Sequence, residues 1–180
     1  EKSEHYIKAR TLAGKIAKEL GYTVLTGGSA GIMEAANRGA FEAGGESVGL
    51  NIRLPKHQQS NRYTTANIEF DYFFVRKVAL SFAAETYLFF PGGFGTLDEF
   101  FELITLIQTH KIRRAPIFLV GRDFWEPLNA FMQENMLALH HAVEEKDLDL
   151  YKITDSDEEV IAAIRSVPVR PLYHHHHHPE

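Results

Sequence analysis

Apolar residues follow two alternating patterns along the chain. In some segments they recur every three or four positions, which predicts helices, and in others they form short continuous runs, which predict buried strands. The predicted helices are residues 3–20, 31–45, 74–85, 97–110, 123–145 and 155–166. The predicted strands are residues 22–28, 47–52, 66–73, 86–93, 115–121 and 148–154. Because the strands are apolar throughout and alternate with helices, the pattern favours an α/β fold, a doubly wound (Rossmann-like) parallel sheet with helices on both faces.

The length of the chain favours a single domain. A chain of 180 residues falls within the usual size of one domain, and residues 1–170 are predicted to form it. A doubly wound fold normally opens with a strand, whereas the first predicted element here is a helix, so we expect a first strand upstream of residue 1. Residues 171–180 contain five consecutive histidines, His174–His178, and are interpreted as an affinity-tag remnant rather than a metal-binding tail.

Composition narrows the range of partners. The net charge is -5 and Lys and Arg are scattered along the chain, which disfavours a nucleic acid partner. The chain has no cysteine, so it has neither a disulfide framework nor a thiolate zinc site. No apolar run reaches the roughly 18–20 residues of a membrane span, and no secretory signal opens the chain. We therefore expect a cytoplasmic protein that binds no metal, membrane or nucleic acid.

The first glycine-rich loop reads GGSAG and contains Gly27, Gly28 and Gly31. It lies between a predicted strand and a predicted helix, where glycines allow close backbone approach and the helix start offers N–H groups to an anion. This favours a phosphate ligand, although an ordinary strand–helix turn remains an alternative. The spacing differs from the dinucleotide fingerprint and the next strand ends at Asn51 instead of an acidic residue, which disfavours NAD. No Walker motif occurs either.

The second glycine-rich loop has three glycines in four positions, Gly92, Gly93 and Gly95. A plain strand–helix turn needs one or two glycines, and each additional one costs backbone entropy. The extra glycines therefore predict that a ligand, most simply a phosphate, lies against this backbone.

Thr96 and Glu99 follow the second loop and admit two interpretations. The sequence TLDE matches a capping box, in which Thr96 and Glu99 would satisfy backbone N–H groups at the start of a helix. Alternatively, Glu99 is a catalytic carboxylate beside the bound phosphate. The pattern alone leaves both interpretations open.

Three motifs together resemble the LOG (Lonely Guy) family, which has also been labelled lysine decarboxylase-like. They are TGGSAGIMEAANRGA, FFVRK and PGGFGTLDE, and the likeness covers roughly residues 5–165. The motif P-G-G-x-G-T-x-x-E is highly specific when an Arg-Lys pair precedes it. Arg76 precedes Glu99 by 23 positions, the separation of the functional pair in that family. The match is similar to a bacterial branch with the longer segment GLNIRLPKHQQSN.

The resemblance implies a fold like the one predicted above and a defined activity. Characterised members are phosphoribohydrolases, which cleave the N-glycosidic bond of a nucleoside 5'-monophosphate to ribose 5-phosphate and a base, either a cytokinin or adenine from AMP. They need no cofactor and are typically homodimers with sites near the subunit interface. Carried over to this chain, the resemblance implies that Arg76 and Glu99 are catalytic. The residues implied to bind the phosphate and ribose are Gly27, Gly28, Gly31, Gly92, Gly93, Gly95 and Thr96.

Two departures from the family pattern bear on which base the protein prefers. The first loop lacks a third consecutive glycine, and DYFFV stands before Arg76 where MHE is common. A non-catalytic nucleotide- or molybdenum-cofactor carrier is the main alternative function, because such carriers share a similar glycine-loop fold but need no Arg76–Glu99 pair. A lysine decarboxylase would need a pyridoxal-phosphate lysine with a partner for the ring nitrogen, and the sequence carries no such signature.

Overall fold

The computed structural model describes residues 3–53 and 60–167, and within them every predicted helix and strand is present in the predicted order. The tail at 171–180 lies outside the described residues. The α-helices are α1 Glu4–Lys15, α2 Ile32–Glu42, α3 Phe73–Ala83, α4 Phe94–Gln108, α5 Arg122–Phe131 and α6 Asp157–Ser166. The strands are β1 Val24–Thr26, β2 Ser47–Ile52, β3 Ala66–Phe70, β4 Tyr87–Phe89, β5 Ile117–Leu119 and β6 Lys152–Ile153.

Two helices continue beyond their regular α-helical part. α1 runs into a π-helical segment, Ile16–Leu20, which ends where Gly21 adopts a φ of 69°. A left-handed residue of this kind is most easily supplied by glycine, which is why the helix stops there. α5 continues as a π-helical segment, Met132–Leu139, and a 3₁₀ helix, Glu145–Leu150, leads into β6.

All strand pairs are parallel, which confirms the predicted α/β class. In the described residues the strands form two three-stranded sheets, ordered β1-β2-β3 and β4-β5-β6, and not the single sheet that the pattern predicted. β1 pairs with β2 and β4 pairs with β5, so each lies at an edge of its sheet. This position explains their burial: the residues of β1 and β4 are half-buried, whereas all three residues of the central strand β5 are buried.

Helix α1 joins the two halves of the molecule. Its buried side chains Tyr6, Ala9 and Leu12 share one apolar core with Ala35 of α2 and with residues that follow β4 and line β5. A second core lies beneath α4 and α5 and contains Phe100, Leu103, Ile107, Ile117, Leu119, Trp125 and Met132. Both glycine loops follow the carboxyl ends of parallel strands, so the fold presents them at the edge where α/β proteins bind ligands.

Within residues 3–53 and 60–167, no helix is both long enough and apolar enough to span a membrane. Compartment and domain organisation stay predictions from the sequence.

Candidate active site

Helix α4 begins earlier than the sequence predicted, and this changes the roles of Thr96 and Glu99. The helix starts at Phe94, and its N-cap is Gly93, which has no side chain to cap it. The capping box is therefore wrong: Thr96 lies in the first turn and Glu99 in the second. Thr96 cannot act as the N-cap because its own amide already bonds to the Gly93 carbonyl at 3.0 Å. The side chain of Glu99 is thus available for another role.

The first two amides of α4 have no hydrogen-bond partner within the helix. The amides of Thr96 and Leu97 donate to the Gly93 carbonyl. The amides of Phe94 and Gly95 precede them and, like those of any first helical turn, have no carbonyl partner within the helix. Such N–H groups and the positive end of the helix dipole favour a phosphate.

The three glycines of the second loop differ in why they are glycines. A β-carbon on Gly92 would lie 2.2 Å from Oγ1 of Thr96, so the packing of the chain itself requires glycine there. A β-carbon on Gly93 or Gly95 would meet nothing within 4 Å of the described chain. Neither residue has a positive φ. Packing and backbone conformation therefore leave glycine at 93 and 95 unexplained, as expected if a ligand lies against them.

Arg76 and Glu99 are brought together by α3 and α4. Nη2 of Arg76 lies 3.4 Å from Oε1 of Glu99, with the Arg76 side chain 15% exposed and that of Glu99 36% exposed. Glu99 is four residues after Gly95, so both lie on one face of α4, about 6 Å apart along the axis. The predicted pair therefore forms one half-buried ion pair, a helical turn away from the first amides of α4.

Burial controls the charge of Glu99. Removal from solvent raises the pKa of its carboxyl group, and Asp98 adds to the rise, while the positive charges of Arg76 and Lys77 counteract it. Because burial is the largest effect, the net pKa is higher than that of an ordinary glutamate. A carboxylate of this kind holds its proton more readily, which suits a group that exchanges protons during a reaction.

The first glycine loop packs against the same arginine. A β-carbon on Gly27 would lie 2.8 Å from Sδ of Met33 and 3.4 Å from Nη1 of Arg76. Gly28, at φ 73°, lies against Asn51, whose Oδ1 would be 1.8 Å from a β-carbon there. The positive φ and this close contact require glycine at 28, whereas at 27 the close contact is with the flexible end of the Met33 side chain. Gly31 has φ 81° and an open surface, so its backbone conformation explains the glycine.

Lys77 holds the two site helices together. From bare sequence, Arg76 and Lys77 are more typical of a surface pair, yet the Lys77 side chain is only 22% exposed. Its Nζ lies 2.8 Å from Oδ2 of Asp98 and 3.2 Å from Oε2 of Glu102, both on α4. These ion pairs fix α3 against α4 beside Arg76 and Glu99. No linear motif signals them, because the partners are far apart along the chain.

Comparison with known proteins identifies the family of the chain. The sequence model described as "Possible lysine decarboxylase" matches residues 33–164. A cytokinin riboside 5'-monophosphate phosphoribohydrolase of rice (Oryza sativa subsp. japonica) is 29% identical over 133 residues, which are 71% of this chain and 53% of the rice protein. The chain thus spans about half the length of this relative. An enzyme of the same description from Rhodococcoides fascians is 23% identical over 161 residues, 88% of this chain and 80% of that protein.

Solved structures show the same fold. The molybdenum cofactor binding protein of Rippkaea orientalis superposes with a TM-score of 0.67 at 22% identity, covering 91% of this chain and 88% of that one. The molybdenum cofactor carrier protein of Chlamydomonas reinhardtii gives a TM-score of 0.65 at 23% identity, covering 89% and 86%. At this identity the likeness establishes the fold alone. The sequence matches establish more: this chain belongs to the LOG family, the group whose family model is described as "Possible lysine decarboxylase".

Proposed function

We propose that the protein is a phosphoribohydrolase that cleaves the N-glycosidic bond of a nucleoside 5'-monophosphate, either AMP or an N6-modified AMP such as a cytokinin nucleotide. The observation that carries the proposal is the half-buried Arg76–Glu99 pair, one helical turn from the amides that begin α4. The descriptions of the rice and Rhodococcoides relatives support this substrate class.

The 5'-phosphate would lie against the second glycine loop. The open surfaces at Gly93 and Gly95 give the phosphate close access to the first amides of α4. Gly92 and the side chain of Thr96 complete this wall. The first loop, through Gly27, Gly28 and Gly31, would form the opposite wall, since Gly27 packs beside Arg76. The phosphate thereby fixes the ribose near the pair.

The chemistry requires a carboxylate near the sugar. As the bond between C1' and the base nitrogen breaks, positive charge grows on the ribose in an oxocarbenium-like state. Glu99 would stabilise that charge and accept a proton from the attacking water, whose oxygen bonds to C1'. The base departs with the bonding electrons and takes up a proton. Arg76 would orient Glu99 and the ribose hydroxyl groups with its planar guanidinium.

A carrier that binds a nucleotide or molybdenum cofactor without catalysis is the second candidate. The structural likeness to the molybdenum cofactor proteins of Rippkaea and Chlamydomonas favours it. Both functions use a phosphate cradle, but a carrier has no need of the Arg76–Glu99 pair. The test is incubation with AMP and with isopentenyl-AMP, followed by chromatography of the products. We expect free base and ribose 5-phosphate; binding of nucleotide without release of base would favour the carrier.

We also propose that the protein is a homodimer. Four large apolar side chains at the start of α3 and α4 are exposed, with Tyr72 at 66%, Phe73 at 56%, Phe74 at 68% and Phe94 at 92%. Large exposed apolar side chains of this kind are common at protein–protein interfaces. Because Phe73 lies 5.7 Å from the guanidinium of Arg76 and Phe94 opens α4, a second copy bound here would shield the site from water.

A further inference from the structure

A network of amides lies in the interior beneath the first glycine loop. Its centre is Asn37 on α2, whose accessible surface is 0%. Its Oδ1 accepts hydrogen bonds from Oγ1 of Thr26 at 2.6 Å and from Nδ2 of Asn61 at 2.9 Å. Its Nδ2 donates to Oγ of Ser47 at 2.8 Å. The network therefore links β1, β2, α2 and the segment after residue 60.

Asn61 connects this network to the backbone of the loop. Its main-chain amide donates to the Gly28 carbonyl at 2.8 Å. Its side-chain Nδ2 also donates to the Ser29 carbonyl at 3.3 Å. The Asn61 Oδ1 accepts the Tyr63 amide at 3.0 Å, which fixes the orientation of the side-chain amide. From the other side, Thr26 Oγ1 accepts the Gly28 amide at 2.9 Å.

These contacts hold a loop whose conformation needs support. Gly28 and Gly31 both have positive φ, and the backbone between them belongs to neither a strand nor a helix. A buried polar network whose members all find partners rigidifies the segment that it contacts. Since Gly27 packs beside Nη1 of Arg76, a shift of the loop would also disturb the guanidinium.

We propose that Asn61 is a positioning residue for the Gly27–Gly31 loop, held in place by buried Asn37. It sets the distance between this loop and Arg76, and so the width of the nucleotide site. The role in catalysis rests on the proposed function, whereas the role in holding the loop does not. Asn61 lies outside the three motifs that carry the family resemblance and is the last residue of the GLNIRLPKHQQSN segment. Nothing in the sequence indicates its contact with Asn37, 24 positions earlier.

The test is the isosteric change Asn61→Asp. A carboxylate keeps the acceptor for the Tyr63 amide but replaces the donor with negative charge facing two oxygens, Asn37 Oδ1 and the Ser29 carbonyl. We expect amide hydrogen exchange in the peptide over residues 24–34 to quicken by about tenfold or more. The KM for AMP should rise by about tenfold while kcat falls less, because the loop binds the nucleotide and Glu99 does the chemistry.

The matched control is Asn129→Asp on α5, where Oδ1 only accepts a hydrogen bond from the Tyr151 hydroxyl and a carboxylate can do the same. It should leave loop exchange and KM unchanged. Wild-type exchange and KM in Asn61→Asp would overturn the proposal, as would faster exchange spread evenly over the whole chain. If Asn61→Asp does not fold, Asn61→Ala supplies the same comparison without a new charge.

The proposed function and the positioning role of Asn61 can be refuted independently. If the wild-type protein releases no base, the proposed function is wrong, and loop exchange still decides the role of Asn61. Binding of ribose 5-phosphate, measured by calorimetry, then replaces KM as the second readout.

Discussion

Replacing Gly95 with alanine separates a ligand site from an ordinary helix start. Gly95 is the second residue of α4, its φ is not positive, and an added β-carbon would meet nothing within 4 Å. The folded chain can therefore accept the methyl group. A ligand lying against the backbone cannot accept it without moving away from the amide.

The two effects have opposite signs and can be estimated. Alanine is better than glycine within a helix by about 0.5–1 kcal/mol, which in a protein of this size raises Tm by about 1–4 °C. Loss of one hydrogen bond to a charged phosphate costs about 1.5–3 kcal/mol, which lowers kcat/KM by roughly 10- to 150-fold. Gly95→Ala should therefore be more stable and much less active.

The assay is base release from AMP together with thermal unfolding. Thr105→Ala is the matched control, because Thr105 is exposed on the same helix and also gains helix propensity, yet lies far from the loop. It should keep wild-type activity. Wild-type kcat/KM in Gly95→Ala would refute the assignment of a phosphate to this backbone, and a fall in Tm would refute the open surface at Gly95.

Burial raises the pKa of Glu99, and the ionised form is the active one. As the pH is lowered, kcat/KM should therefore begin to fall at a higher pH than it would with an ordinary glutamate. A fall that begins only in the ordinary glutamate range would contradict this. Burial alone would raise the pKa of Asp157, but the hydrogen bonds from Lys15 and Lys8 outweigh this effect and lower the pKa. Ionised Asp157 therefore stabilises the fold at neutral pH, and this stability is lost as the pH falls through that pKa. Asp157→Asn should therefore lower the free energy of unfolding by about 1–3 kcal/mol at pH 7, and less in acid, as measured by urea denaturation. Phe74→Asp should convert the proposed dimer to a folded monomer in light scattering; an unchanged dimer would move the interface elsewhere.

Much of the fold follows from local pattern. The apolar run at 47–52 matches β2 at both ends, because a buried strand bounded by polar residues and glycine has few alternatives. The start of α4 was placed three residues late, since the glycines at 93 and 95 look like loop while the backbone there is already turning into helix. The two π-helical segments and the division into two sheets were not predicted, because they depend on tertiary packing and strand pairing.

The site was predictable only where it is carried by a motif. The family motifs point to Arg76 and Glu99 as a pair, and Nη2 of Arg76 lies 3.4 Å from Oε1 of Glu99. The role of Glu99 was open, however, because a capping box and a catalytic acid share the same letters. The Asn37–Asn61 contact could not be predicted, since buried asparagines on separate elements have no period or spacing in the sequence.

The catalytic role of Glu99 is tested most directly by the rate at which Glu99→Gln releases base from AMP, compared with wild type. The amide keeps the shape of the side chain and removes its negative charge. Because burial raises the pKa of the Glu99 carboxyl group, folding disfavours that charge, and Tm should not fall when it is removed. Base release by Glu99→Gln should be about 100-fold slower or more, which is the contribution expected of a positioned acid–base group. Release at the wild-type rate by this folded variant would contradict it and leave Glu99 without a catalytic role.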